Sequence, residues 1–488
     1  MRTQLFIDGD FVDSADGTTI DVINPHDQST LASVAAAGPA DVERAVQAAR
    51  RAFPSWAAMA AAERGRLLLR LADAVEEHAA DLAKLESLDT GHPIRDSSAL
   101  DAPRTAVTFR YFGGMADKYE GFVPPVEKGF LNYVLREPLG VVGQIVPWNF
   151  PLMFTSWKLG PALAAGNTVV YKPSELTPLS SLAVAELARE VGFPSGVINM
   201  VPGFGATAGE AIANHPDVDK VSFTGSTAVG RGLVAASAGN LKRLHLELGG
   251  KGSNVVFADA DLDAAVNGSA FAIFHNQGQA CIAGSRLVLH EDVADDFLDG
   301  FVELTRSIRL GNPLDGATEM GPLTSPHHRD RVLAYVDVAK DEGGEVLAGG
   351  TPPADPALAA GCYIEPTVVR AEPGARVSRE EVFGPFVTVT TFRTEDEALA
   401  IANGVEYGLG GGLWTRDLSR AHRVARGIRA GMVWVNTYKR VSPGSPFGGI
   451  GLSGYGREMG HEAMHGYTDP KSIWVNVDAD VPAWYRRP

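Results

Sequence analysis

An alternation of strands and helices across residues 140–250 constrains the fold of this chain more than any other feature. Five short apolar runs, at 141–146, 168–171, 197–201, 220–223 and 243–248, are predicted as strands. The segments between them are predicted as helices. Strand–helix–strand units of this length build a parallel, doubly wound sheet, which binds ligands at the carboxyl ends of its strands.

A second α/β unit is predicted to follow, because 488 residues are too many for one ordinary core. It begins with a strand at 255–257, a helix at 261–274 and a strand at 286–289. The predicted domains are therefore 1–119 with 139–250, and 251–449. In the first domain, helices are expected at 41–56, 61–90 and 98–118.

Two segments, 120–138 and 466–488, lie outside this alternation. Each contains one predicted strand, at 130–135 and at 472–477. Together they could form an arm that pairs with a neighbouring subunit, or a plain edge hairpin. Both interpretations remain open at this point.

The charge and cysteine content narrow the class of partner. Lys and Arg number 43 against 59 Asp and Glu, a net charge of −16. This acidic balance argues against nucleic acid and anionic membranes as main partners. The two cysteines cannot build a disulfide framework, and the first ten residues lack the apolar core of a signal peptide. We therefore expect a reducing, cytoplasmic location.

One of the two cysteines, Cys281, lies in a polar, glycine-flanked turn. Gly278 and Gly284 bracket it, and the residues before it are polar. A buried structural cysteine would be the more common explanation for an isolated cysteine. In this setting, backbone N–H groups are expected to lower the pKa of the thiol and make the thiolate a nucleophile.

Two strand ends are predicted to hold a dinucleotide. The sequence around Gly225 and Ser226 follows one strand and opens a helix, so backbone N–H groups and the Ser226 hydroxyl could face a pyrophosphate. Lys172 and Glu175 follow another strand, where both could bind ribose hydroxyls. Glu175 would repel a 2′-phosphate, which favours NAD over NADP. The alternatives are a Ser-capped helix start and a surface ion pair.

Four further side chains could take part in catalysis or cofactor binding. Asn149, held between two prolines at a strand end, could donate to an oxyanion. Glu247 ends an apolar strand, which would raise its pKa towards the range of a general base. Glu381 and Phe383 could hold a ribose and a nicotinamide face. Each observation alone is weak, but together they supply a nucleophile, an oxyanion donor, a base and a dinucleotide site.

Seven motifs, in order along the chain, make this sequence similar to the NAD(P)-dependent aldehyde dehydrogenase superfamily over essentially its whole length. They are Pro-Trp-Asn-Phe-Pro at 147–151, Lys-Pro-Ser-Glu at 172–175, Phe-Thr-Gly-Ser-Thr-Ala-Val-Gly at 223–230, Leu-Glu-Leu-Gly-Gly-Lys at 246–251, Gly-Gln-Ala-Cys at 278–281, Glu-Val-Phe-Gly-Pro at 381–385 and Pro-Phe-Gly-Gly at 446–449. The resemblance implies a Rossmann-like NAD domain, a second α/β catalytic domain and a small β oligomerisation arm. It also implies a homodimer or homotetramer.

The resemblance further implies Cys281 as nucleophile, Glu247 as general base and Asn149 as oxyanion donor. It implies NAD as cofactor, with NADP less favoured, and no metal. The residues implied to bind the cofactor are Pro147, Trp148, Lys172, Ser174, Glu175, Gly205, Gly225, Ser226, Glu381 and Phe383.

By the same resemblance, a largely apolar funnel leads to Cys281. It is lined by Phe150, Met153, Phe154, Trp157, Ile282 and Phe447. An aliphatic or aromatic aldehyde fits this lining better than an anionic semialdehyde, which would need an arginine. An aromatic cage would equally suit a cationic amino aldehyde.

Three other functions remain as alternatives. A relative that passes the acyl group to coenzyme A would generally lack Glu247. A catalytically silent relative would have lost the cysteine, the base or the oxyanion donor. A thiol esterase would leave the predicted cofactor residues unexplained.

Overall fold

A computed structural model describes residues 1–481 and 484–485 of the chain. Its α-helices of five or more residues are Pro39–Ala58, Ala61–Glu77, Ala79–Thr90, Ala102–Met115, Pro151–Ala164, Leu179–Glu190, Glu210–Asn214, Thr227–Ala236, Leu262–Phe274, Glu291–Ser307, Pro326–Asp341, Glu395–Asn403, Leu418–Gly427 and Gly460–Gly466. Within the described residues, none of the helices combines the length and the apolar character that a membrane crossing requires.

The first sheet has eight strands and contains the predicted parallel unit. In spatial order they are Asp10–Val12, Leu5–Ile7, Ile198–Met200, Thr168–Lys172, Val141–Ile145, Lys220–Thr224, Arg243–Glu247 and Gly454–Tyr455. The five central strands, from Ile198–Met200 to Arg243–Glu247, are parallel. Chain order reverses between Val141–Ile145 and Lys220–Thr224, and at this switch point a crevice opens beyond the strand ends.

All five predicted parallel strands are therefore confirmed, each within two residues at either end. They form because runs such as Thr168–Lys172 are buried along their whole length, which suits β-branched residues on a sheet covered on both faces. Gly454–Tyr455 joins the sheet antiparallel to Arg243–Glu247, although it comes from far along the chain. The second α/β unit thus returns one short strand to the first sheet.

The second sheet has seven strands and is also mainly parallel. In spatial order they are Glu345–Ala348, Thr367–Arg370, Phe386–Phe392, Arg286–His290, Ser253–Val256, Gly410–Trp414 and Met432–Val435. The Cys281 turn connects Leu262–Phe274 to Arg286–His290, as predicted. The nucleophile candidate is thereby fixed between a helix and a central strand of this sheet.

The two strands outside the alternation pair with each other. Phe130–Pro138 runs antiparallel to Thr468–Asn476 over nine residue pairs. Several apolar side chains on this ribbon are exposed; they include Leu131, Leu135, Trp474 and Val475. Of the predicted segment 466–488, residues 482–483 and 486–488 lie outside the described part. Two short antiparallel pairs complete the strands: Thr19–Ile23 with Thr30–Ala35, and Tyr407–Gly408 with Ile450–Gly451.

Two helix predictions are corrected. The predicted helix at 61–90 is two helices that meet at His78, whose backbone is non-helical. The predicted helix at 98–118 begins with a π-helical turn, Ser97–Asp101, and becomes α-helical only from Ala102. Periodic apolar residues continue through both joints, so the pattern alone does not reveal the change in backbone geometry. Gly91 ends the helix Ala79–Thr90 in a left-handed conformation, which glycine adopts without steric cost.

Candidate active site

A cavity of about 200 Å³ lies at the switch point of the first sheet. The turn after Val141–Ile145 and the turn after Lys220–Thr224 both line it, and Cys281 reaches it from the second sheet. Nine of the residues predicted as catalytic or cofactor-binding meet there: Pro147, Trp148, Asn149, Gly225, Ser226, Glu247, Cys281, Glu381 and Phe383. We call this space the cofactor-side cavity.

The backbone before Cys281 is held in an unusual conformation. Asn276, Gln277 and Gly278 are three consecutive residues with positive φ, at 54°, 54° and 70°. A Cβ on Gly278 would lie 1.9 Å from the carbonyl oxygen of Gly384. Only glycine fits such a position, so the turn carrying Cys281 packs directly on the loop carrying Glu381 and Phe383.

The expected activation of the Cys281 thiol is corrected by the structure. Desolvation by the surrounding protein, followed by the charges of Glu247 and Glu381, raises the pKa of this thiol far above its ordinary value. The backbone N–H groups of Cys281 and Ile282 do lower the pKa, as the sequence suggested, but by less. Burial outweighs them, so the side chain is a neutral thiol in this state.

Asn149 is buried beside the cysteine turn and is fixed at both ends. Its Nδ2 donates to the carbonyl of Gln279 at 2.9 Å, and its own carbonyl accepts from Nδ2 of Asn276 at 2.8 Å. A side-chain amide has two N–H groups. One is engaged with Gln279, which orients the amide and leaves the second for another acceptor.

Glu247 ends its strand with a buried carboxyl group, as predicted. Desolvation, followed by the charge of Glu458, raises its pKa well above the ordinary value. Its Oε1 lies 3.2 Å from Nε2 of His245, and its Oε2 is buried without a hydrogen-bond partner. Burial also lowers the pKa of His245 well below its usual range, so this neighbour is a neutral imidazole.

A buried hydrogen-bond network lies next to this pair, with Nδ1 of His245 3.7 Å from Oε1 of Glu458. Glu458 accepts a hydrogen bond from the ammonium of Lys158, and the pair is fully buried. Nζ of Lys158 also donates to the hydroxyl of Ser222 at 3.0 Å. The sequence analysis did not identify His245, Lys158 or Glu458, since each lies on a different element and none belongs to a catalytic motif.

The Glu381 loop closes the cofactor-side cavity. Oε1 of Glu381 accepts a hydrogen bond from the backbone N–H of Gly250 at 2.8 Å, while burial raises its pKa to about 7. Phe383 has a left-handed backbone, and its carbonyl lies 2.7 Å from Nε2 of His328. The ring of His328 packs on Trp148 at 4.9 Å. His328 and Arg331 line the cavity and were missed by the sequence analysis.

The predicted ribose residues lie beside this cavity rather than in its wall. Lys172 is buried, and its Nζ donates to the carbonyl of Pro173 at 2.9 Å and to Glu175 at 3.4 Å. Burial lowers the pKa of Lys172. Ser174 accepts a hydrogen bond from the N–H of Leu176 at 3.3 Å. The lysine and glutamate are thus a half-buried pair, not a surface one.

Ser226 and Gly205 open two helical segments near the strand ends. The Ser226 hydroxyl accepts a hydrogen bond from the N–H of Val229 at 3.3 Å, the geometry of an N-cap. This is the simpler alternative that the sequence allowed for Ser226, although the residue also lines the cavity. Gly205 begins a π-helical turn, Gly205–Gly209, and a Cβ on it would meet open space.

The described residues fit a dinucleotide. Oε2 of Glu247 and the hydroxyl of Thr224 are buried without hydrogen-bond partners, and both residues line the cofactor-side cavity. Buried polar groups are normally satisfied, so a polar ligand is expected here. The helix Thr227–Ala236 also directs its N-terminus to the same strand ends, as phosphate binding requires.

A second, narrower cavity of about 50 Å³ lies next to the first. Cys281 and Phe154 line both cavities. All six residues predicted for the substrate funnel meet in the second one: Phe150, Met153, Phe154, Trp157, Ile282 and Phe447. We call it the substrate-side cavity.

The lining of the substrate-side cavity is not only apolar. Arg104, His275 and Lys439 also line it. The argument from the sequence against an anionic substrate is therefore corrected, because the arginine that such a substrate needs is present. Arg104 comes from a helix 177 positions before Cys281, and neither it nor Lys439 lies in a recognisable motif.

Comparison with known proteins identifies the chain. The model of the aldehyde dehydrogenase family matches residues 11–473. The chain belongs to the aldehyde dehydrogenase family. It is 46% identical over 479 residues to the human mitochondrial aldehyde dehydrogenase, covering 97% of this chain and 92% of the relative.

Solved structures agree closely with this aldehyde dehydrogenase. PnpE in complex with NAD is 67% identical, with a TM-score of 0.99 and full coverage of both chains. Betaine aldehyde dehydrogenase of Staphylococcus aureus, also in complex with NAD, is 41% identical, with a TM-score of 0.98 over 100% of this chain and 97% of that one. The chain is therefore an NAD-dependent oxidoreductase that acts on aldehydes, with the expected Rossmann-like fold.

Proposed function

We propose that this aldehyde dehydrogenase converts an aldehyde into its carboxylic acid through a covalent intermediate on Cys281. The observation that carries the proposal is that Cys281 lines both cavities. On one side it faces the space that also contains Asn149 and Glu247, and on the other the substrate-side cavity. A thiol at this junction can contact an aldehyde from one side and a cofactor from the other.

Chemistry begins when the Cys281 thiol loses its proton to solvent and its sulfur attacks the aldehyde carbon. The free N–H of Asn149 and the backbone N–H of Cys281 stabilise the resulting oxyanion; one such donor typically contributes about 3 to 4 kcal/mol. The tetrahedral carbon then expels a hydride, for which NAD held in the cofactor-side cavity would supply the acceptor. A thioester on Cys281 remains.

Glu247 then removes a proton from a water molecule that attacks the thioester. Its raised pKa makes it a better base than an exposed carboxylate. Hydrolysis releases the carboxylic acid and the thiol. The cysteine is needed because its thiohemiacetal can expel hydride and its thioester hydrolyses readily.

For the cofactor, we propose that Pro147, Trp148, Gly225, Ser226, Glu381 and Phe383 hold the nicotinamide and pyrophosphate part of NAD. Lys172, Ser174, Glu175 and Gly205 are proposed for the adenosine part. The pairing of Lys172 with Glu175 supports this, because it places a carboxylate where a 2′-phosphate would be repelled. NAD is therefore preferred over NADP.

We also propose the domain division 1–119 with 139–250 for NAD binding, 251–449 for catalysis, and 120–138 with 466–488 as an oligomerisation arm. The exposed Trp474 and Val475 on the ribbon support a homodimer or homotetramer, since exposed apolar side chains on a strand pair favour association. The low cysteine content supports a cytoplasmic location.

The substrate is proposed to be an aliphatic or aromatic aldehyde, on the basis of the aromatic walls. Rings of Trp157 and Phe447 lie 4.8 Å apart, and those of Phe154 and Trp157 lie 5.6 Å apart. These walls suit a carbon chain or a planar ring.

The test is NADH absorbance with purified protein, NAD and a panel of aldehydes, with Cys281→Ala as control and NADP in parallel. NADH formation that disappears in Cys281→Ala supports the proposal. A signal only with added coenzyme A would instead support an acylating enzyme. No signal from any aldehyde, with NAD binding intact, would support a catalytically silent relative; ester cleavage without NADH formation would support a thiol esterase.

A further inference from the structure

Two cations, Arg104 and Lys439, line the substrate-side cavity together with Cys281. Arg104 lies in the first turn of Ala102–Met115, and Lys439 follows Met432–Val435. Across residues 1–481 and 484–485, neither side chain has an ion-pair partner. Nζ of Lys439 has one long contact of 3.4 Å, to the carbonyl of His275. Two positive groups therefore converge on one cavity without a protein anion between them.

Two nearby carboxylates, Asp96 and Asp101, lie beside the ring of His92. The charge of Asp101 still raises the pKa of Arg104 against the effect of burial. Asp101 lies 2.7 Å from Nδ1 of His92, and Asp96 lies 3.9 Å from Nε2 of the same ring. Burial lowers the pKa of Arg104, and it lowers the pKa of Lys439 to about 7. A buried cation without a counterion is unfavourable, so an anionic ligand would relieve a cost that the protein alone leaves in place.

The neighbouring His275 adds a polar group without a partner. Both of its ring nitrogens are buried and lack hydrogen-bond partners, and burial lowers its pKa well below the usual range. The imidazole is therefore neutral and has one N–H to donate. A guanidinium, an ammonium and an imidazole thus line the same cavity and are available to a ligand oxygen.

The two cations Arg104 and Lys439 also argue against a cationic substrate and against a metal ion in this cavity. A cationic amino aldehyde would be repelled by Arg104 and Lys439. A metal ion could be considered at His92, Asp96 and His275, whose donor atoms lie within 4.8 Å of one another. A dication there would face the same two positive side chains, which disfavours it.

We propose that the substrate of this enzyme carries a carboxylate as well as its aldehyde, and that Arg104 and Lys439 bind that carboxylate. The inference rests on the proposed function, since it assumes that the aldehyde carbon lies at Cys281. The aromatic side chains hold the carbon chain or ring between the two ends. A planar guanidinium suits a carboxylate because it can donate two parallel N–H bonds.

The test compares each carboxylate substrate with a neutral partner of similar shape. We would measure kcat/KM for 4-carboxybenzaldehyde against 4-formylbenzamide, and for succinate semialdehyde against butanal, in the wild type, Arg104→Met, Lys439→Met and Arg104→Lys. Arg440→Met serves as the matched control, because Arg440 is an exposed cation next to Lys439 that does not line the cavity.

The wild type is expected to prefer at least one of the acids over its neutral partner by about tenfold or more. Loss of a hydrogen bond to a charged group typically costs about 10- to 100-fold. We therefore expect the acid-to-neutral ratio to fall by this factor in Arg104→Met and Lys439→Met, mainly through KM. Arg104→Lys should recover part of the ratio, and Arg440→Met should keep it.

Two results would overturn the inference. One is a wild type that oxidises the neutral partners as well as or better than both acids. The other is a parallel loss for acid and neutral substrates in both Met variants, which would indicate a structural role or an effect on the thiol.

A binding measurement separates this inference from the proposed function. Terephthalate, the product expected from 4-carboxybenzaldehyde, can be titrated into Cys281→Ala by calorimetry, with and without Arg104→Met. Terephthalate binding that Arg104→Met weakens supports the anion site even if no aldehyde is oxidised. Aldehyde oxidation without such binding or acid preference would retain the proposed function and reject the anion site.

Discussion

The two cavities that meet at Cys281 are built from different kinds of structure and contain different ionisable groups. The cofactor-side cavity is lined by turns at strand ends and by two buried carboxyl groups, Glu247 and Glu381. The substrate-side cavity is lined by aromatic side chains and by the cations Arg104 and Lys439. The nucleophile thus separates an acidic wall from a basic one.

This difference orients a substrate that carries a carboxylate as well as its aldehyde. A molecule with a carboxylate at one end and an aldehyde at the other is attracted by Arg104 and Lys439 on the substrate side, so its aldehyde points towards Cys281. Burial, with a smaller contribution from the carboxyl groups of Glu247 and Glu381, raises the pKa of the thiol. Cys281 therefore stays protonated until a base removes the proton, and the basic wall selects the substrate.

The largest effect is expected from Glu247→Gln, which removes the proposed base from the acidic wall. General base catalysis typically contributes about 10²- to 10⁴-fold. We expect steady-state turnover to fall by about 10³-fold, while a burst of NADH still forms because hydride transfer does not need the base for water. Stopped-flow absorbance measures the burst, and Cys281→Ala should show none.

If the two walls act separately, Glu247→Gln should slow 4-carboxybenzaldehyde and 4-formylbenzamide by the same factor. A change in the ratio of the two substrates would contradict this separation. Loss of the burst would show that Glu247 acts before thioester formation, as acceptor of the thiol proton.

The acidic wall was largely predictable from the sequence. Glu247, Glu381 and Asn149 each lie within a few residues of a strand end, beside glycine or proline, where short patterns define the local backbone. Strand periodicity then brings the turns of Asn149 and Glu247 to one edge of the first sheet. The Glu381 loop instead precedes Phe386–Phe392 of the second sheet. His328 lies outside such patterns, on a helix, and reaches the cavity only through tertiary packing.

The basic wall was not predictable in the same way. The helix Pro151–Ala164 supplies predicted aromatic residues, but Arg104 and Lys439 come from distant segments and carry no local pattern. The pKa of Cys281 was also missed, because burial is a property of the complete fold, whereas only the nearby N–H groups can be inferred from the turn. The π-helical start of the Arg104 helix is equally invisible in the apolar periodicity.

Gly278→Ala is expected to have the next largest effect, because it disturbs the contact between the two loops that flank the thiol. An alanine would adopt an unfavourable φ of 70° and place its Cβ 1.9 Å from the carbonyl oxygen of Gly384. Left-handed backbone costs about 1 to 2 kcal/mol and overpacking about 1 to 3 kcal/mol. We expect a clear fall in Tm, measured by calorimetry.

Gly374→Ala is the matched control, because a Cβ there meets nothing within 4 Å. It should keep the wild-type Tm. Equal Tm values for the two variants would show that the contact between the Cys281 turn and the Glu381 loop is not rigid, and that the two walls are less firmly joined than the geometry suggests.

A smaller, pH-dependent effect is expected from Glu381→Gln. Burial raises the pKa of Glu381 from 4.5 to about 7, so the unfolded chain loses this proton at lower pH than the folded protein does. The stability that this group contributes therefore falls as pH rises from 4.5 to 7, by up to roughly 3 kcal/mol. Glutamine cannot ionise and can still accept from Gly250.

Glu381→Gln should accordingly raise Tm at pH 8 and change it little at pH 5, in protein free of NAD. Calorimetry at the two pH values measures the difference. The same gain at both pH values would contradict a raised pKa and would leave Glu247 as the one strongly perturbed carboxyl group of the acidic wall.

The smallest effect is expected at the edge of the cofactor side, where Glu175 pairs with Lys172 at 3.4 Å. Removing the carboxylate charge with Glu175→Gln leaves the lysine free to attract a 2′-phosphate. We expect the ratio of kcat/KM for NAD to that for NADP to fall by about tenfold, since one charge near a phosphate is worth on the order of 1 to 2 kcal/mol in a partly exposed site. Glu190→Gln, an exposed substitution on the following helix Leu179–Glu190, is the control and should keep the ratio.

The acid-to-neutral substrate ratio should stay unchanged in both variants, because Arg104 and Lys439 lie on the other side of Cys281. An unchanged NAD preference in Glu175→Gln would instead place the discrimination at another residue, and a change in the substrate ratio would show that the two cavities are coupled.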